Sequence, residues 1–171
     1  MKRLFPCVLL GACLSLSACG EQISPEEQER RDAEAVAAVK RANAAIPPLE
    51  EVVPEPILYP DLEQHDLYGL ACSYAPGTSL ATRVVTRETD AFVKVNGELL
   101  RFAADPGSRE LPGNTRSLYN GRAYSLRLEI EGEGAPVAEG SGTTRYSGTV
   151  HLRDRWNRTV YTGTGTADCG A

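Results

Sequence analysis

The residues of this chain whose types and spacing could support chemistry are five cysteines, two histidines and a few short glycine motifs. The cysteines stand at 7, 13, 19, 72 and 169 and never approach C-x-x-C spacing, so a redox pair or a thiolate zinc site is not expected. The imidazoles are His65 and His151. A zinc ion wants three or four ligands, and beside His65 stand only the scattered carboxylates Asp61, Glu63 and Asp66. A surface or hydrogen-bonded role therefore accounts for both histidines. A serine nucleophile would sit in G-x-S-x-G, which is absent, and Gly140-Ser141-Gly142 reads as a flexible loop. Gly163-Thr164-Gly165 lies in a threonine-rich strand with no helix after it, the wrong context for a phosphate or dinucleotide loop. No catalytic residue, cofactor or metal is expected, and no enzyme.

One aromatic side chain stands apart. Trp156, the only tryptophan, lies between Arg155 and Asn157 in a polar turn, where an indole is partly exposed. It either anchors a partner or folds back to cap one end of the core, and the sequence leaves both open.

The N-terminus carries an address. Lys2 and Arg3 precede an apolar stretch over residues 4–16, and the small residues Ser17 and Ala18 follow. This is shorter than the roughly 20 apolar residues that cross a bilayer as a helix. The run Leu16-Ser17-Ala18-Cys19 resembles the lipobox of bacterial lipoproteins, whose cysteine is acylated and becomes the mature N-terminus. The resemblance implies that residues 1–18 are a cleaved signal peptide and that Cys19 bears the lipid. Gly20 and Glu21 follow in place of the aspartate that retains such proteins in the inner membrane, which implies an outer-membrane anchor with the domain facing the periplasm.

Loss of Lys2 and Arg3 takes the formal charge from −5 to −7, a poor balance for a nucleic-acid partner. It also removes Cys7 and Cys13. With Cys19 acylated, Cys72 and Cys169 remain in an oxidising compartment and are expected to pair.

Ser24-Pro25-Glu26-Glu27 has the form of a helix start, with Ser24 as cap, Pro25 in the first turn and Glu27 placed to complete a capping box. The helix is expected to run to about Ala45. Its apolar positions are mostly alanine, with only Val36 and Val39 larger, so it reads as a spacer. Prolines at 47, 48, 54, 56 and 60 make residues 46–60 a semi-rigid, polyproline-like tether. Residues 19–56 thus form the lipidated N-terminus, helix and tether, and residues 57–171 the domain.

Within the domain the apolar period becomes two. Tyr124, Leu126, Leu128 and Ile130 alternate with Ser125, Arg127 and Glu129, the pattern of a half-buried strand. Asn96-Gly97, between residues 91–95 and 98–102, predicts a two-residue hairpin, and Asn120-Gly121 is expected to do the same ahead of a strand over 122–130. Further strands are expected over 70–74, 81–87, 145–152 and 159–167. Seven or eight short strands predict a mainly β fold, a small antiparallel barrel or sandwich. The irregular pieces 103–115 and 131–142 are the loops where such a scaffold could bind.

A lipobox, a tether and about eight antiparallel strands with cysteines near both ends resemble the membrane-bound inhibitors of c-type lysozyme. Phe92-Val93-Lys94-Val95-Asn96-Gly97-Glu98 resembles their early hairpin. Asn120-Gly121-Arg122-Ala123-Tyr124-Ser125 is similar to their Ser-Gly-x-x-Tyr segment, with Asn120 in the place of serine. Their later Lys-Gly element has no counterpart in residues 146–154, so no inhibitory residue is carried over. The expected function is a non-catalytic envelope lipoprotein whose β domain binds an envelope protein or peptidoglycan. The alternative the resemblance implies is an inhibitor of lysozyme or another cell-wall hydrolase.

Overall fold

The computed structural model describes residues 23–170, and the Leu16–Cys19 run that resembles a lipobox, with the expected acylation at Cys19, lies outside them. The chain divides at Ile46 and Pro47 into two compact units. In the first, α1 (Pro25–Ala44) begins as expected, with the Ser24 hydroxyl accepting from the Glu27 amide at 3.3 Å. The reciprocal half of the capping box is not made, because the Glu27 carboxylate pairs with Arg30 and Arg31 instead. Val36 and Val39 are exposed and no residue of α1 is buried.

The second unit is the β domain. After a proline-rich strap, residues 47–57, come α2 (Tyr59–His65), β1 (Ala71–Pro76), β2 (Val84–Thr86), β3 (Asp90–Val95) and β4 (Glu98–Ala104). An excursion follows, made of β5 (Glu110–Leu111), the short 3-10 turn Pro112–Asn114 and β6 (Thr115–Arg116). The chain then returns through β7 (Leu118–Asn120), β8 (Tyr124–Pro136), β9 (Thr144–Asp154) and β10 (Thr159–Gly170). Eight strands close into an antiparallel barrel in the order β1-β10-β9-β8-β7-β4-β3-β2, while β5 and β6 pair with each other. The barrel is therefore an up-and-down meander whose last strand returns to its first.

The local chemistry explains most of the hairpins. Asn96 (φ 50°) and Gly97 (φ 76°) both take the left-handed region that a tight β3–β4 turn demands, and Val95 pairs with Glu98 around them. The β7–β8 turn corrects the sequence expectation. Asn120 pairs with Ser125 and the Gly121 amide donates to the Tyr124 carbonyl, so the loop is Arg122-Ala123, two residues later. Gly121 is held there by packing, since a Cβ on it would stand 2.9 Å from the Phe102 ring. β7 itself was not anticipated, and β8 runs six residues beyond Ile130, with a bulge between Glu131 and Ala135.

Side chains fill the barrel. Leu126 and Leu128 point inward as their alternation predicts, and with Tyr74, Phe102, Tyr119, Val150 and Leu152 they form the main core. Each such side chain contributes on the order of 1.5–3 kcal/mol when fully buried. The Tyr119 hydroxyl donates to the Arg87 carbonyl at 2.8 Å and accepts from the Arg116 amide at 2.6 Å, which ties the excursion to β2. Asp90 is 2% exposed and lies between Arg87 and Arg101, with nitrogen–oxygen distances of 2.7 and 2.9 Å. Burial alone would raise its pKa, but the two guanidiniums outweigh that and hold it below the usual carboxylate range.

Residues 47–57 do not hang free as a tether. Val52 enters the main core and Pro54 is buried. The prolines lack amide hydrogens, but three of the intervening residues use theirs: Val52 donates to Val160 at 3.0 Å, Glu55 to Lys94 at 2.8 Å and Ile57 to Thr82 at 2.8 Å. The Arg83 guanidinium donates to the Pro54 carbonyl. The strap thus crosses one mouth of the barrel from β10 to β3 and on to the β1–β2 loop. Beyond it, Ile57, Leu62 and Leu67 cover the outward side chains of Val85, Phe92 and Leu99. Asp61 fixes α2 by accepting from the Leu58 amide and pairing with Lys94 at 2.8 Å.

Cys72 and Cys169 stand directly opposite each other in the β1–β10 ladder, their Cα atoms 4.0 Å apart, and are joined by a disulfide. A bridge across 97 residues withdraws about 4.7 kcal/mol of chain entropy from the unfolded state, as an upper figure. Reduction should lower the unfolding free energy by about 2–4 kcal/mol in urea titrations. Val52→Asp should destabilise the barrel by a further ~2–4 kcal/mol, since it places a charge in the core, whereas Val53→Asp at the exposed neighbour should change stability by less than about 0.5 kcal/mol.

Candidate functional site

The β9–β10 turn is organised by one carboxylate. Asp154 Oδ1 accepts from the amides of Trp156 and Arg158, each at 2.9 Å, and Oδ2 accepts from Arg158 Nε at 2.7 Å. Asn157 (φ 62°) closes the turn by donating its amide to the Asp154 carbonyl. Desolvation pushes the Asp154 pKa up, but the donors from Arg158 and Trp156 prevail and hold it below the usual carboxylate range.

This scaffold sets Trp156 at the surface, 40% exposed. The guanidinium carbons of Arg158 and Arg155 lie 5.1 and 5.4 Å from its ring centroid, within cation–π range. Arg158 also donates from Nη1 to the Pro47 carbonyl at 2.8 Å, which fixes the start of the strap beside the indole. Together with Pro48, Glu50, Tyr124 and Val160, these residues line an open groove of about 360 Å³. Trp156 is thus partly exposed in this groove, whose lining includes the core residue Val160.

A second cleft, of about 660 Å³, lies toward the opposite end of the barrel. Of the irregular pieces singled out in the sequence, the first lines it through Asp105, Ser108 and Arg109, whereas only Glu131 of the second reaches it. Its lining is polar and of mixed charge and contains no aromatic residue.

The remaining candidates separate. Cys72 and Cys169 form the disulfide. His151 Nδ1 lies 3.0 Å from the Thr162 hydroxyl on the β9–β10 sheet, and its Nε2 is 3.7 Å from Glu129. His65 is exposed at the end of α2. No group of three or more His, Cys, Asp or Glu side chains able to hold a metal occurs among the described residues. The Ser141 hydroxyl donates to the Ala138 carbonyl within its own loop.

No family model, curated protein or solved structure matches the chain. The site therefore rests on its geometry. The sequence marked Trp156 but not its supports: Asp154 and Arg158 bracket the turn in D-x-x-x-R spacing, a signal that was present, whereas Pro47 lies 111 residues from Arg158 and left none.

The single tryptophan makes the turn easy to follow. Because the Asp154 pKa is lowered on folding, the stability it lends is fully present above the unfolded value near 3.8 and is lost as pH falls through the folded value. Trp156 emission should stay constant from neutral pH to about pH 4 and shift only below it. Asp154→Ala should show the shifted emission already at pH 7.

Proposed function

We propose that this chain is an envelope lipoprotein, acylated at Cys19 and held at the outer membrane, whose disulfide-pinned β domain faces the periplasm and binds another envelope component without catalysing a reaction. The observation that carries the binding part is the Trp156 groove. A barrel packed with Tyr74, Phe102, Tyr119 and leucines has its interior occupied, so a partner meets the outer surface. There an indole, two guanidiniums and the Tyr124 phenol line one groove, the side-chain types that anchor interfaces. The lipobox residues and the exposed α1 support an anchored domain carried on a spacer.

Inhibition of lysozyme or another cell-wall hydrolase is the second reading. It is favoured by the eight-stranded barrel and by the β3–β4 and β7–β8 hairpins, where the resembling phrases fall. The acidic net charge, −7 once Lys2 and Arg3 are removed, would draw a basic enzyme.

Full-length mature protein in detergent should retain an identifiable envelope component from extract, and Trp156→Ala should reduce that retention. Retention no greater than on bare resin would overturn the binding reading. Lysozyme lysis of cell walls that is unchanged by excess protein would remove the inhibitor reading.

A further inference from the structure

At the strap-covered end of the barrel, the β7–β8 loop and the β9–β10 turn carry charge of the opposite sign to the chain. Tyr124 pairs with Asp154, so the β7–β8 loop and the β9–β10 turn stand side by side. They present Arg122, Arg153, Arg155 and Arg158 against Asp154 alone, a local +3 on a mature chain of −7, and Glu50 on the groove's rim reduces it to +2. Arg158 is taken up by Asp154 and the Pro47 carbonyl, and Arg153 by Asn157 Oδ1. Arg155 and Arg122 form no ion pair among the described residues, and Arg155 lies over the indole.

An uncommitted guanidinium takes a carboxylate through two parallel hydrogen bonds. A half-exposed indole with a neighbouring phenol offers flat apolar faces. A ligand that suits both carries carboxylates next to ring faces. Building on the envelope reading above, we infer that the Trp156 groove is a peptidoglycan-binding site: the C–H face of a sugar ring lies on Trp156, and a stem-peptide carboxylate is held by Arg155, with Arg122 meeting the next along the strand. Peptidoglycan presents these two groups in alternation along an extended polymer. The groove is open, so a strand can enter and leave it, with Pro47 and Pro48 forming one wall and Tyr124 another.

The test is cosedimentation of the full-length mature protein, in detergent, with purified sacculi. The wild type should pellet with them. Trp156→Ala and Arg155→Glu should each weaken binding about tenfold or more, and ~0.5 M salt should weaken it strongly because the contact is exposed and charged. Amidation of the sacculus carboxylates should abolish it. Arg109→Glu, in the cleft at the other end, should leave it unchanged. Arg155→Glu keeps the indole, so its effect is separable from any misfolding of Trp156→Ala, which the thermal transition would reveal. Wild-type protein that stays in the supernatant, or variants that pellet as well as it does, would overturn the inference. Retention of an acidic envelope protein through the same groove, with sacculi left unbound, would overturn it while leaving the wider binding reading intact.

Discussion

The barrel depends on one seam. β1 is six residues long, yet it must hold β2 on one side and β10 on the other, and without it the meander is an open sheet with two free edges. The six-residue register with β10 and the Cys72–Cys169 bridge within it join the first strand to the last. The approach there is close: a Cβ on Gly165 would stand 2.0 Å from the Ala75 carbonyl oxygen, so the seam admits nothing larger than glycine at that point. Closure is what turns alternating strands into an enclosed core, because only a closed sheet buries the inward row of every strand at once.

Closing the sides leaves the ends to be dealt with. The strap covers one mouth by lowering Val52 into the core and offering three of its amides to carbonyls of the domain. α2 then covers the apolar outer face of β2 and β3, which would otherwise expose Val85 and Phe92 to water. The other end is finished differently, by the β5–β6 excursion held through Tyr119 and by the bulged end of β8. Each mouth is thus closed in part by a segment that is not a barrel strand.

The elements that could be read from the sequence are those whose signal is local. The alternation around Leu126 and Leu128, the Asn96-Gly97 turn and the Ser24 cap each need only neighbouring residues, and all three stand as expected. The strap could not be read in this way. Its prolines describe a stiff extended segment, which it is, but whether such a segment floats or docks is decided by Val160, Lys94 and Thr82, far along the chain. The Asn120-Gly121 turn misled because the glycine answers to the Phe102 ring rather than to turn geometry. The groove shows the same division. Trp156 stood out by type and position, while Tyr124 and Pro47 became part of its surroundings only through tertiary contacts.

Arg158 links the path of the chain to the shape of the groove. Its Nε holds Asp154, which holds the turn amides that present Trp156, and its Nη1 holds the Pro47 carbonyl at the point where the chain enters the domain. One guanidinium therefore fixes the floor of the groove and one of its walls. The strap cannot shift at Pro47 without freeing a charge that the turn relies on, and the turn cannot loosen without releasing the strap. A planar side chain with five donors can serve both partners at once, whereas a lysine in its place would offer a point charge to one of them. The position of the entering chain and the presentation of the indole are in this way a single structural state.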